Sequence, residues 1–342
     1  MDATQPAPGD QESLTLRLSE YALGYLHSAA LRAAARIGIA DHLADGPRTP
    51  EELAALTGVS APHLQRALRL LATREVFRED KDGAFHLTPA AEFLRSDSPT
   101  SMRDGVIMLT DETFWKPAGR LEDTVRAGHT VFEEIFGAPF FDHLARVPRA
   151  GEAFDTGMAG LSASEDDLVA AAWAFPAAGT VVDIGGGRGG LLRRVLLRNP
   201  GLTGVLYDQE AVLRHHHLDD PALAGRWEVR PGDFFASVPD GADVYLLKRI
   251  LHDWSDEDAL RILRACRTAM KEGSRLLAID AVIVRDNAPD LGKTLDVLMM
   301  TSLNGRERGE HEFRRLLAEA GLRLTRVLPT PSAMSIVEAT AV

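Results

Sequence analysis

A doubly wound α/β domain with a mainly parallel sheet, preceded by a helical region, is the architecture this sequence predicts, and three observations predict it. Short apolar runs alternate with helical segments through the second half of the chain, the pattern of a parallel sheet covered on both faces. A glycine-rich loop follows directly from the first of these runs and opens a helix. The last two runs are joined only by Pro329-Thr330-Pro331-Ser332, a link that suits a hairpin, so the final strand is expected to run antiparallel to the rest.

The 342 residues suggest two domains, or one with a large addition. Against 38 Lys and Arg stand 50 Asp and Glu, a net charge of −12, which argues against non-specific nucleic-acid binding because phosphate neutralisation needs a basic face. Hydrophobic residues at 45% and charged residues at 26% are ordinary globular values and exclude disorder for most of the chain. The one cysteine, Cys266, excludes a disulfide framework and a cysteine metal cluster. No run of about eighteen apolar residues predicts a membrane span. The opening MDATQPAPGDQES is polar and acidic, unlike a signal peptide, so a cytoplasmic protein is expected.

Four stretches are expected: a flexible tail over 1–13, a winged-helix-like region over 14–98, a helical linker and pocket region over 99–172, and the α/β domain over 173–342. From Leu14 to Leu43 apolar residues recur at helical spacing. Thr49-Pro50-Glu51-Glu52 has a cap, a first-turn proline and two acids, and begins one helix; Ser60 is placed to cap the next, which carries Leu64, Leu68, Leu70 and Leu71. Val76–Glu79 and Ala84–Leu87 flank the turn Asp80-Lys81-Asp82-Gly83, a two-stranded wing. Between Arg48 and Arg95 seven bases meet seven acids, so this module is read as a dimerisation element rather than a DNA reader.

Aromatic residues and methionines punctuate 99–172. Phe114, Trp115, Phe154 and Met158, with Met299 and Asn304 further on, are expected to line an apolar ligand pocket; helix packing is the alternative for each of the apolar ones. Strands are expected at Thr180–Ile184, Thr203–Tyr207, Trp227–Arg230, Asp243–Leu247, Leu276–Val284, Arg323–Leu328 and Ala333–Ala339.

The loop Asp183-Ile184-Gly185-Gly186-Gly187-Arg188-Gly189-Gly190 admits two readings. Gly185, Gly187 and Gly190 fit the dinucleotide fingerprint, while Asp183, Gly185, Gly187 and Gly189 fit a pattern associated with S-adenosylmethionine (SAM). Both ligands contain a ribose, and Asp208, at the end of the second strand, can accept from its hydroxyls in either case. Past the third strand, Asp233 of Gly232-Asp233-Phe234-Phe235 is placed to accept from an adenine amino group, with Phe234 packing on the ring.

Taken with Leu251-His252-Asp253-Trp254 and Gly305-Arg306-Glu307-Arg308, these segments resemble the SAM-dependent small-molecule O-methyltransferases of plant phenolic and bacterial polyketide-tailoring pathways. The motifs come in that family's order, and the resemblance covers nearly the whole chain. It implies a Rossmann-like SAM-dependent methyltransferase domain, a winged-helix-like dimerisation domain, a homodimer, and a small aromatic acceptor rather than nucleic acid or membrane. It also implies His252 as general base, an imidazole titrating near pH 6.5 facing a phenol with a pKa near 10, and Asp280 and Glu307 as flanking acids. For the cofactor it points to Gly185, Asp208, Gly232, Asp233, Phe234 and Lys248, with no metal. Asp253 and Trp254 are expected to start a helix and fill core. A SAM-binding hydroxylase or cyclase on the same scaffold, or a winged-helix regulator, is the alternative. His215-His216-His217 is read as a solvated helix end and Cys266 as an inert packed thiol.

Overall fold

The computed structural model describes residues 8–342, which divide into two compact units, one running through Thr110 and the other from Asp111 to Val342.

In the first unit, helices Pro8–Ala22 and Tyr25–Ile37 precede the pair Pro50–Thr57 and Ala61–Ala72. The tail expected over 1–13 is thus helical from Pro8 onward, because proline presets φ for a first helical turn instead of ending one; its earlier residues lie outside those described. Thr49 and Glu52 exchange side chain-to-backbone hydrogen bonds in a capping box. Ser60 stands at the next N-cap position but turns its hydroxyl to His63 Nδ1, 2.8 Å away, so the expected cap bond is not made. The wing forms as β1 (Phe77–Glu79) and β2 (Phe85–Leu87), antiparallel. Asp80 Oδ1 fixes its turn by accepting from the Asp82 and Ala84 amides. Ile39, Leu53, Leu68, Leu71, Phe77 and Phe85 close the core.

The second unit is built on a seven-stranded sheet in the order β5-β4-β3-β6-β7-β9-β8. Its strands are β3 (Gly179–Ile184), β4 (Leu202–Asp208), β5 (Trp227–Pro231), β6 (Val244–Lys248), β7 (Arg275–Asp280), β8 (Leu322–Pro329) and β9 (Ser335–Ala341). β9 slots between β7 and β8, antiparallel to both. Successive strand residues enter opposite cores. Val182, Tyr245, Leu247 and Ala278 pack with Ile262, Cys266 and Leu316 on one face, while Val181, Val244, Leu246 and Ile279 pack with Val169, Leu192 and Val195 on the other. Burial on both faces is why the strands read as unbroken apolar runs. β7 stops at Asp280, four residues short of the expected Leu276–Val284 run. There the chain leaves the sheet, and Val282 bridges Arg308 instead. Since β3 pairs with β4 on one side and β6 on the other, the order reverses at β3 and β6, and their carboxyl ends flank the crevice where open α/β sheets bind ligands. Among the described residues no helix is long and apolar enough to cross a membrane.

Candidate active site

At the β3 end, Gly185, Gly187 and Gly189 take φ of +64°, +59° and +80°, a left-handed region open mainly to glycine. At Gly185 the absence of a side chain also answers close approach: a Cβ there would collide with Ile250 Cδ1. The Gly185 amide donates to Tyr207 O at 2.7 Å, pinning the loop to β4. Asp208, next along β4, accepts from Gly187 N at 2.8 Å and Gln209 N at 2.6 Å. Burial pushes its carboxyl above the usual range. Phe234 reaches the same point, with its Cε1 3.5 Å from where a Gly185 Cβ would lie. Asp233 is exposed, and its Oδ1 accepts from Phe235 N at 2.9 Å. Gly232 has a packing reason of its own: a Cβ would overlap the Tyr207 phenol, which donates to Ser237 O at 2.6 Å.

Beneath the loop lies a charged cluster. The Lys248 side chain is 8% exposed, with its Nζ 2.6 Å from Asp166 Oδ1 on helix Pro148–Ala172. Arg249, at φ +56°, donates to both oxygens of Glu165 at 2.8 and 3.0 Å. Asp183 is buried; desolvation, then the neighbouring Asp166, pushes it up to about 7. The sequence gives no periodic signal for Glu165 and Asp166, because their partners lie more than eighty residues away.

His252 sits in a 3₁₀ turn, Leu251–Asp253, just past β6, and is 4% exposed. Its Nδ1 is 2.7 Å from Glu307 Oε1 and 4.0 Å from Asp280 Oδ1, while its Nε2 is 3.4 Å from Asp253 Oδ1. The expected trio is therefore together, but only Glu307 is hydrogen-bonded to the ring. Asp280, one methylene shorter than glutamate, stays beyond hydrogen-bond reach, fully buried with both oxygens unpartnered, and desolvation raises its pKa. Asp253, expected in core packing, instead faces the other ring nitrogen. Burial opposes the charged imidazole, yet Asp253, Glu307 and Asp280 together push His252 up to about 9. An ionised carboxylate only accepts, so Nδ1 donates to Glu307 and the neutral ring offers its lone pair at Nε2.

The aromatic candidates form a chain of ring contacts. Phe140 lies 5.6 Å from Phe114 and 5.5 Å from Phe154; Phe141 stacks on Trp254 at 5.5 Å, and Trp254 meets Phe234 edge-on at 6.1 Å. Trp254 thus joins the ring at the glycine loop to the helical aromatics. Phe114 and Met299 are buried, Phe154 and Met158 half-buried, and Trp115 exposed. Asn304 is exposed and accepts from Thr130 N through Oδ1. Among the described residues no group of three or more His, Cys, Asp or Glu could hold a metal ion. His215–His217 lie in the turn after helix Glu210–Leu213, where His216 packs against Trp227 at 5.0 Å. Cys266 is fully buried, which pushes its thiol up to about 12.

Comparison with known proteins identifies the family of the chain. An O-methyltransferase domain profile matches residues 119–323, and an O-methyltransferase dimerisation domain profile matches 19–97. Phenazine O-methyltransferase PhzM of Lysobacter antibioticus is 42% identical over 318 residues, covering 92% of this chain and 93% of its own. The SAH-bound crystal structure of CalO1, a methyltransferase in calicheamicin biosynthesis, superposes with a TM-score of 0.89 at 46% identity over 100% of both chains. Aclacinomycin 10-hydroxylase RdmB of Streptomyces purpurascens is 35% identical, covering 86% of this chain and 81% of its own.

Proposed function

Because the chain belongs to the SAM-dependent O-methyltransferase family, we propose that it methylates a hydroxyl of a small aromatic or polyketide-type metabolite with His252 as general base. The supporting observation is the buried His252 with Glu307 2.7 Å from Nδ1, an arrangement that fixes the ring and aims Nε2 away from its orienting acid. SAM, when bound, supplies a methyl carbon on a sulfonium whose transfer leaves a neutral thioether.

The residues at the strand ends fit that donor. The left-handed glycines bring bare backbone to the crevice, and Asp208 presents a carboxylate for the ribose hydroxyls. Asp233 and Phe234 offer an acceptor and a ring face for adenine, while Gly185 and Gly232 leave room. Lys248 enters this reading differently from the sequence expectation: its charge is held by Asp166, which abuts Gly190, so it supports the loop from below. With SAM bound, His252 Nε2 would take the proton of the acceptor hydroxyl as that oxygen is methylated. Glu307 steadies the imidazolium that forms, and Asp253 faces the new N–H. Phe154, Met158 and Trp115 are the half-buried or exposed side chains offered to the acceptor; Phe114, Met299 and Asn304 support that wall by packing and by the bond to Thr130.

Incubation with methyl-labelled SAM and a panel of phenols tests the reaction. Label in an O-methyl product supports it, and product formed without label would favour the hydroxylase-like chemistry of RdmB. Asp208→Ala is expected to weaken SAH binding about ten- to a hundredfold, the effect of losing hydrogen bonds to a charged group; unchanged affinity by calorimetry would remove Asp208 from the cofactor site. The match of 19–97 to a dimerisation domain supports a homodimer, the commonest closed assembly, and light scattering should give twice the 37.2 kDa chain mass.

A further inference from the structure

Three contacts join Gly305-Arg306-Glu307 to the turn that carries His252. The Arg306 amide donates to His252 O at 2.8 Å. Gly305 lies so close that a Cβ would collide with the same carbonyl oxygen and the Asp253 main chain. Glu307 holds Nδ1. The next residue, Arg308, is 1% exposed, and its side-chain hydrogen bonds go to groups other than the imidazole. Its Nη1 donates to Leu251 O at 2.6 Å, its Nη2 to Trp254 O at 2.9 Å, and its Nε to Asp256 Oδ1 at 2.9 Å. Those two carbonyls stand immediately before and after the His252-Asp253 pair, and Asp256 opens the helix that follows, Asp256–Ala269.

We propose that Arg308 is the positioning residue of this turn: its guanidinium grips the main chain on both sides of His252 and so holds Nδ1 against Glu307. The role rests on the reading of His252 as base. A planar guanidinium has five donors in fixed directions, and here they serve three acceptors from one buried point. A lysine ammonium at this position carries the charge but cannot span two carbonyls and a carboxylate together. The main chain of Arg308 is itself anchored, since Ile283 N donates to its carbonyl at 3.1 Å. Asp256 is held from outside by Arg315 Nη2 at 2.7 Å, so the acid end of the grip is also fixed.

The test is Arg308→Lys, assayed for kcat, KM and the pH dependence of kcat/KM, beside His252→Gln. A base misplaced by a fraction of an ångström should lower kcat roughly ten- to hundredfold while KM for SAM stays within about twofold. A His252–Glu307 contact that has loosened should also move the rising limb of kcat/KM about one pH unit lower. The carboxylates facing the ring are Asp253, Asp280 and Glu307, and none is altered. A fall in melting temperature with kcat and the limb unchanged would overturn the role and leave Arg308 as packing. Should Arg308→Lys fail to fold, Asp256→Ala removes one of the three anchors: a smaller limb shift in the same direction supports the role, and an unmoved limb with full kcat overturns it. The two readings separate cleanly. Turnover surviving in His252→Gln overturns the base and this role with it, whereas an inactive His252→Gln beside an unchanged Arg308→Lys overturns the role alone.

Discussion

Replacing His252 with glutamine is expected to lower turnover by about 10²–10⁴, the usual contribution of a general base, while SAH binds as in the parent chain. The separation follows from the layout of the crevice. The residues proposed for the cofactor sit on the glycine loop, on Asp208 and on the loop after β5, and none of them hydrogen-bonds the imidazole. Glutamine keeps a polar side chain beside Glu307 but offers no nitrogen lone pair to accept a proton. Three carboxylates surround the ring, so removing its charge also costs stability, and the melting temperature must be measured together with kcat. Full turnover in a folded variant would show that proximity alone drives transfer, or that another group takes the proton.

The second large effect is in the pH profile. With His252 pushed up to about 9, the ring in the free enzyme is an imidazolium at pH 7, one N–H toward Glu307 and the other toward Asp253. The neutral, competent form is then about 1% of the total at pH 7. kcat/KM should therefore rise about tenfold per pH unit from pH 7 and flatten above about 9. The acceptor phenol titrates near 10, so the limb needs assigning. Asp253→Asn assigns it, because removing one facing acid lowers the imidazole's pKa and moves the limb to lower pH, which titration of the substrate would not do. A profile flat from pH 6.5 to 8.5 in the parent would contradict the electrostatics of the turn. Stability moves the opposite way from activity. The imidazolium's contribution is full below the ordinary histidine value near 6.5 and is lost as pH rises through about 9.

The motifs that carry this site were legible in the sequence because each is local. The glycine loop, the Asp208 strand end, Gly232-Asp233-Phe234, Leu251-His252-Asp253 and Gly305-Arg306-Glu307-Arg308 are short runs in which residue type and neighbour already state the geometry. Asp253 reads as core in the sequence because a residue after a strand end gives no sign of which way its carboxylate turns; the 3₁₀ turn decides that, and it turns toward Nε2. Asp280 is expected beside His252 from its place at the end of β7, but β7 is the paired neighbour of β6, so whether one methylene less still reaches the ring depends on where the 3₁₀ turn after β6 puts the imidazole. Lys248 carries no mark of burial in its sequence, yet it is sealed against an acid from a distant helix.

Periodicity determined the alternation of strands and helices, and turn residues determined the hairpin at the end and the two-stranded wing, since burial of apolar faces and turn chemistry both act over a few residues. Tertiary structure decided the insertion of β9 between β7 and β8, the pairing of Glu165 and Asp166 with Lys248 and Arg249, and the grip of Arg308 on the histidine turn. Those outcomes join groups tens of residues apart, and a buried charge selects whichever partner the folded backbone brings within about 3 Å.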